Sequence, residues 1–86
     1  MSARDDVLQV KIYAPFRTYY EGPAASFSAV NETGPFDILP RHKNFMSLLV
    51  PCNVVVRNPN HPDFSLPIER GVMHVKANKV TVFLDV

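Results

Sequence analysis

Three histidines, one cysteine and a scatter of carboxylates could do chemistry in this chain, and their spacing gathers none of them. His42, His61 and His74 form no His-x-His or His-x-x-x-His pair, so they lack metal-ligand spacing. Asp5, Asp6, Asp37, Asp63 and Asp85 do not fall into a calcium-loop pattern. Gly22, Gly34 and Gly71 stand too far apart for a phosphate-cradling loop or a dinucleotide turn. Cys52 has no second cysteine to pair with, which excludes an internal disulfide and a cysteine metal site. It follows Pro51 and precedes an apolar run, the setting of a small packing residue. No catalytic residue, cofactor or metal is assigned, and the chain is read as non-catalytic.

Binding is the function class left. The stretch Gly34-Pro35-Phe36-Asp37-Ile38-Leu39-Pro40-Arg41-His42 reads as a display loop, and loops are where binding residues collect. Arg41, His42 and Lys43 make the only local concentration of basic residue types along the chain. The nine Lys and Arg are otherwise dispersed and eight acids offset them, for a formal net charge of +1. A nucleic-acid surface needs a basic stripe, so no nucleic-acid partner is expected. Tyr19, Tyr20 and Phe36 are therefore read as packing residues and not as base-stacking platforms.

The elements that must position this stretch are strands. Leu8, Val10, Ile12 and Ala14 alternate with Gln9, Lys11 and Tyr13, the period of a strand with one buried face. Thr18 to Glu21 is rich in strand formers and is punctuated by Gly22-Pro23. Ala25, Phe27 and Ala29 share a face opposite Ser26, Ser28 and Val30. Asn31 to Pro35 reads as a loop, Phe36 to Leu39 as a brief apolar run, and Phe45 to Val50 as mixed in period, passable as a helical turn but too short for a helix. Val54-Val55-Val56 is β-branched throughout. Asn58 to Asp63 is a proline-rich turn, and Phe64, Leu66 and Ile68 alternate after it, with Pro67 predicting an edge strand. Val72 to Val75, with His74 outward, and Val80 to Asp85 flank a tight turn at Ala77-Asn78-Lys79.

The expected fold is thus all-β, a small flattened sandwich or barrel of roughly 8–10 short strands, with residues 1–86 as one domain. The 86 residues are 47% hydrophobic and 20% charged, as in a folded domain. No apolar run approaches the roughly 18 residues of a membrane span, so direct insertion is not expected. Met1 to Asp6 lacks the apolar stretch of a signal peptide, and one free cysteine fits a reducing compartment.

Three segments together resemble the epsilon subunit of F-type ATP synthases, called delta in mitochondria. Gly34 to His42 is similar to that family's Gly-x-(Phe/Leu)-Gly-(aliphatic)-(Leu/Tyr)-Pro-Gly-His segment. Arg70-Gly71-Val72-Met73-His74-Val75 through Asn78-Lys79-Val80-Thr81-Val82-Phe83 resembles its Gly-Gly run and closing strand. Leu8 to Ile12, followed by Tyr20-Glu21-Gly22, resembles its opening strand and turn. Asp37, Arg41 and Cys52 stand where the family usually has glycine, and Arg70 replaces the first glycine of the pair. Family members usually continue past Leu84-Asp85-Val86 into a C-terminal helical hairpin that can brake hydrolysis; that hairpin is absent from this sequence.

The resemblance implies a central-stalk subunit that couples the gamma subunit to the membrane rotor ring during proton-driven ATP synthesis. It would lie peripherally, on the cytoplasmic face of the energy-transducing membrane. One side of the sandwich would pack on gamma, and Glu32, Thr33, Gly34, Pro35 and His42 would form the ring and gamma contacts. Phe36, Ile38 and Leu39 would anchor the loop in the core. The alternative is a free-standing β-sandwich interaction module that binds a peptide or small ligand.

Overall fold

The computed structural model describes residues 7–84. Nine strands follow one another: β1 (Leu8–Ala14), β2 (Arg17–Ala24), β3 (Ser26–Asn31), β4 (Gly34–Ile38), β5 (Phe45–Leu49), β6 (Cys52–Arg57), β7 (Phe64–Ile68), β8 (Gly71–Lys76) and β9 (Lys79–Leu84). No helix occurs among the described residues. The acidic residues Asp5, Asp6 and Asp85, and the sequence ends expected to lack a leader and a helical hairpin, lie outside them.

One hydrogen-bonded sheet runs β2-β1-β9-β8-β5-β3-β6-β7, with β4 added to β3. It doubles over on itself because β5 meets β3 at a single bridge, Asn31↔Leu49. Two further corners hold the fold-over. Ala25, between β2 and β3, donates its N–H to Arg57 O at 2.8 Å, and Val50, after β5, donates to Val30 O at 3.1 Å. The halves β2-β1-β9-β8-β5 and β4-β3-β6-β7 then face each other across a single core.

Period two decides which side chains enter that core. Leu8, Val10, Ile12, Met73, Val75, Val80 and Val82 come from one half and Phe27, Ile38, Val54 and Val56 from the other, all essentially inaccessible. Each such side chain contributes roughly 1.5–3 kcal/mol on leaving water. Gly71 is required by close approach: a Cβ there would come within 3.1 Å of both Leu84 Cδ2 and Phe83 O. β1 and β9 pair in parallel, Gln9↔Lys79 through Tyr13↔Phe83, while every other ladder among the described residues is antiparallel.

Two expectations change, and the segment of mixed period resolves. Gly34-Pro35 is not loop but the start of β4, so the turn is only Glu32-Thr33 and the display loop shrinks to residues 39–44. Gly22-Pro23 does not end a strand, because β2 continues through it to Ala24. Phe45 to Leu49 is a strand and not a helical turn. The first two share a cause: β2 and β4 are edge strands, where proline's missing donor costs no ladder bond. Pro67 lies in β7, the sheet's other end, as its sequence predicts.

Candidate functional site

The β3–β4 turn is built by Asn31. Its Oδ1 accepts from Thr33 N at 2.9 Å and Gly34 N at 3.2 Å, an Asx turn that presents Glu32 and Thr33 to solvent. Gly34 leaves the turn at φ 132°, a backbone that side chains rarely adopt. Pro35 follows, exposed, opposite Val30.

The loop over residues 39–44 is fixed from two sides. His42 N–H donates to Leu39 O at 3.2 Å within it. Arg41 N–H donates to Asn78 Oδ1 at 2.6 Å, which pins the loop to the tip of the β8–β9 hairpin. Arg41 has φ 69°, so the position where the resembled family carries glycine does need left-handed backbone here. Asp37 does not: it sits in β4 and accepts a 2.5 Å bond from Ser28 Oγ, which in turn accepts from Arg57 Nη1 at 2.6 Å.

These elements bring Thr33, Gly34, Pro35 and His42 to one shallow cleft of 320 Å³, floored by Phe36 and Phe45. The Phe45 ring stands edge-on to both Phe36, at 5.6 Å, and His42, at 5.7 Å. A further bond orients the imidazole, with Nδ1 2.8 Å from Lys43 O. Glu32, at the turn tip, does not line the cleft. Of the three expected anchors, Ile38 is fully buried and Phe36 packs against the core, but Leu39 is 57% exposed. Leu39 follows Ile38, so alternation turns it to the outer face.

The floor of the cleft is aromatic, and Asn31, Thr33, Asp37 and His42 supply its polar points. Cys52 is half-buried at the start of β6, His61 lies in the exposed 58–63 turn, and His74 faces outward on β8. Among the described residues no three metal-ligating side chains gather.

A second surface was missed in the sequence. Leu48, Val72, Phe83 and Tyr13 are register partners across β5, β8, β9 and β1, on the outer side of the sheet. Leu48 is 69% exposed and Met46, two residues earlier on the same face, 67%. Phe83 and Tyr13 meet edge to face at 5.2 Å. The signal was the mixed period of Phe45 to Val50: a strand apolar on both faces has both faces to cover.

A family model described as the ATP synthase delta/epsilon chain, beta-sandwich domain, matches residues 7–86. The ATP synthase epsilon chain of Nitratiruptor sp. is 29% identical over 80 residues, covering 93% of this chain and 62% of that protein. That of Stenotrophomonas maltophilia is 33% identical over 66 residues, covering 77% and 47%. The chain therefore spans about half to three fifths of the length of these curated relatives. Among solved structures, the fold matches a chain of the Euglena gracilis mitochondrial ATP synthase OSCP/F1/c-ring assembly at TM-score 0.84 and 16% identity, over 92% of this chain and 51% of that one. A chain of the Tetrahymena thermophila mitochondrial ATP synthase central stalk and c-ring matches at 0.76 and 14%, over 92% and 63%.

Proposed function

The chain belongs to the ATP synthase delta/epsilon β-sandwich family, and on that premise we propose that it is a non-catalytic rotor subunit joining the gamma subunit to the membrane rotor ring. The carrying observation is the gathering of Thr33, Gly34, Pro35 and His42 around one cleft from the β3–β4 hairpin and the separate loop over residues 39–44. With Glu32 at the adjoining turn tip, they form the end assigned to the ring and the neighbouring part of gamma. The outer apolar row of Leu48, Val72, Phe83 and Tyr13 is the side assigned to gamma.

The mechanical role follows from packing. A doubled sheet around a close-packed core deforms little, so torque applied on one face is passed to the other end. No helix among the described residues is long and apolar enough to cross a membrane; the subunit acts peripherally, on the cytoplasmic face. Proton movement and nucleotide chemistry belong to other subunits. The alternative, a free-standing module that adds a peptide strand, is opposed by the prolines on β2, β4 and β7.

Co-purification from native membranes tests the reading: gamma and ring subunits are expected with the tagged chain, and recovery of neither rejects it. His42→Cys in a Cys52→Ser background should crosslink to gamma or to the ring. A folded variant that yields no adduct rejects the contact surface.

A further inference from the structure

The sequence disperses its lysines, but the fold collects three of them. On the outer side of the sheet, at the hairpin end and away from the apolar row, Lys76 and Lys79 are direct register partners flanking the Ala77-Asn78 turn. Gln9 is the partner of Lys79 across the parallel ladder, and Lys11 the partner of Thr81. His74 faces Thr81 from the other side. Two shallow concavities lie here, 460 Å³ beside Lys11 and Gln9 and 530 Å³ beside His74 and Lys76. They adjoin at Lys79 and Thr81, which line both.

The charge at the Lys76–Lys79 pair has no carboxylate opposite it, whereas Lys11 faces Glu21 across the β1–β2 ladder and lies 5.0 Å over the Tyr13 ring. Among the described residues, no carboxylate stands within ion-pair distance of Lys11, Lys76 or Lys79. Glu21, at the β2 edge, is the single carboxylate lining either concavity. Like charges directly opposed across a ladder are destabilising, so Lys76↔Lys79 is a pairing that the bare fold does not reward. An anion between them removes the repulsion, and the Thr81 hydroxyl and Gln9 amide add neutral donors beside the ammonium groups.

We infer that Lys11, Lys76 and Lys79, with Thr81 between them, form a binding site for phosphate-bearing anions. The joined concavities suit a group with more than one phosphate oxygen cluster exposed to the protein, supplied either by a soluble polyphosphate or by anionic lipid headgroups. The site is distinct from the cleft at Gly34 to His42 and does not rest on the rotor reading.

The test uses the whole chain in thermal melts with pyrophosphate, against sodium chloride of matched ionic strength, and sedimentation with vesicles. Saturating pyrophosphate should raise Tm by several degrees, as binding to the native state alone requires. Vesicles of phosphatidylglycerol and phosphatidylcholine should pull the chain down, and pure phosphatidylcholine should not. A pyrophosphate response identifies the soluble source; vesicle binding without one identifies the headgroup source. Lys79→Gln should lose at least tenfold in affinity while raising Tm without ligand, since it relieves the Lys76 repulsion; Lys76→Gln should do the same. No response to either probe, or an undiminished response in both variants, overturns the site.

Discussion

Left-handed backbone at single residues ties the two ends of the candidate site together. Ala77 and Asn78 both have positive φ, 50° and 65°, the pair that a two-residue turn between twisted strands needs. Asparagine tolerates that region and alanine does not. Ala77→Gly should therefore stabilise the domain by about 0.5–1 kcal/mol, read as a higher urea midpoint. Asn78→Ala should cost about 1–2 kcal/mol, because it also removes the acceptor for Arg41 N–H; an unchanged midpoint would show that the loop does not lean on the hairpin. Gly71→Ala should cost roughly 1–3 kcal/mol through overpacking against Leu84. The 77–78 turn was legible, since Ala-Asn-Lys between alternating runs leaves little else. The left-handed Arg41 was not, because the residue that normally announces such a backbone is missing from that position.

Strands were legible wherever alternation was clean, as in β1, β8 and β9, because one buried face imposes period two. Legibility failed where a strand lies at an edge. Gly22-Pro23 and Gly34-Pro35 look like punctuation, yet an edge strand has no outer ladder for proline to break. It failed again at β5, whose outer Met46 and Leu48 hide the alternation of Phe45, Ser47 and Leu49 beneath. That strand carries its own prediction. Leu48→Ser should change the unfolding free energy by less than about 0.5 kcal/mol, since the side chain is exposed. It should also reduce recovery of gamma in co-purification, and full recovery would remove β5 from the interface. The cleft was legible only in part: Thr33 and His42 were named, but their meeting over Phe45 depends on β4 and β5 belonging to opposite halves of the sheet.

For the molecule as a whole, the prolines are what keep an open sheet from growing. Pro23, Pro35 and Pro67 lie in β2, β4 and β7, the three strands with a free side. Replacing Pro67 by valine should favour self-association, visible as a rise in light scattering with concentration, while the monomer stays folded. The parallel β1–β9 ladder has a consequence for how this chain is made. Leu8, Val10 and Ile12 leave the ribosome before the other eight strands, yet one side of their strand stays unpaired until Lys79 to Phe83 emerge. Nascent chains stalled before β9 should therefore be cut readily by protease. Resistance should arrive in one step when that strand clears the exit tunnel, and a gradual gain would mean that the earlier strands fold without it. β1 and β8, far apart in the sequence, acquire the neighbour they share only when β9 has been made.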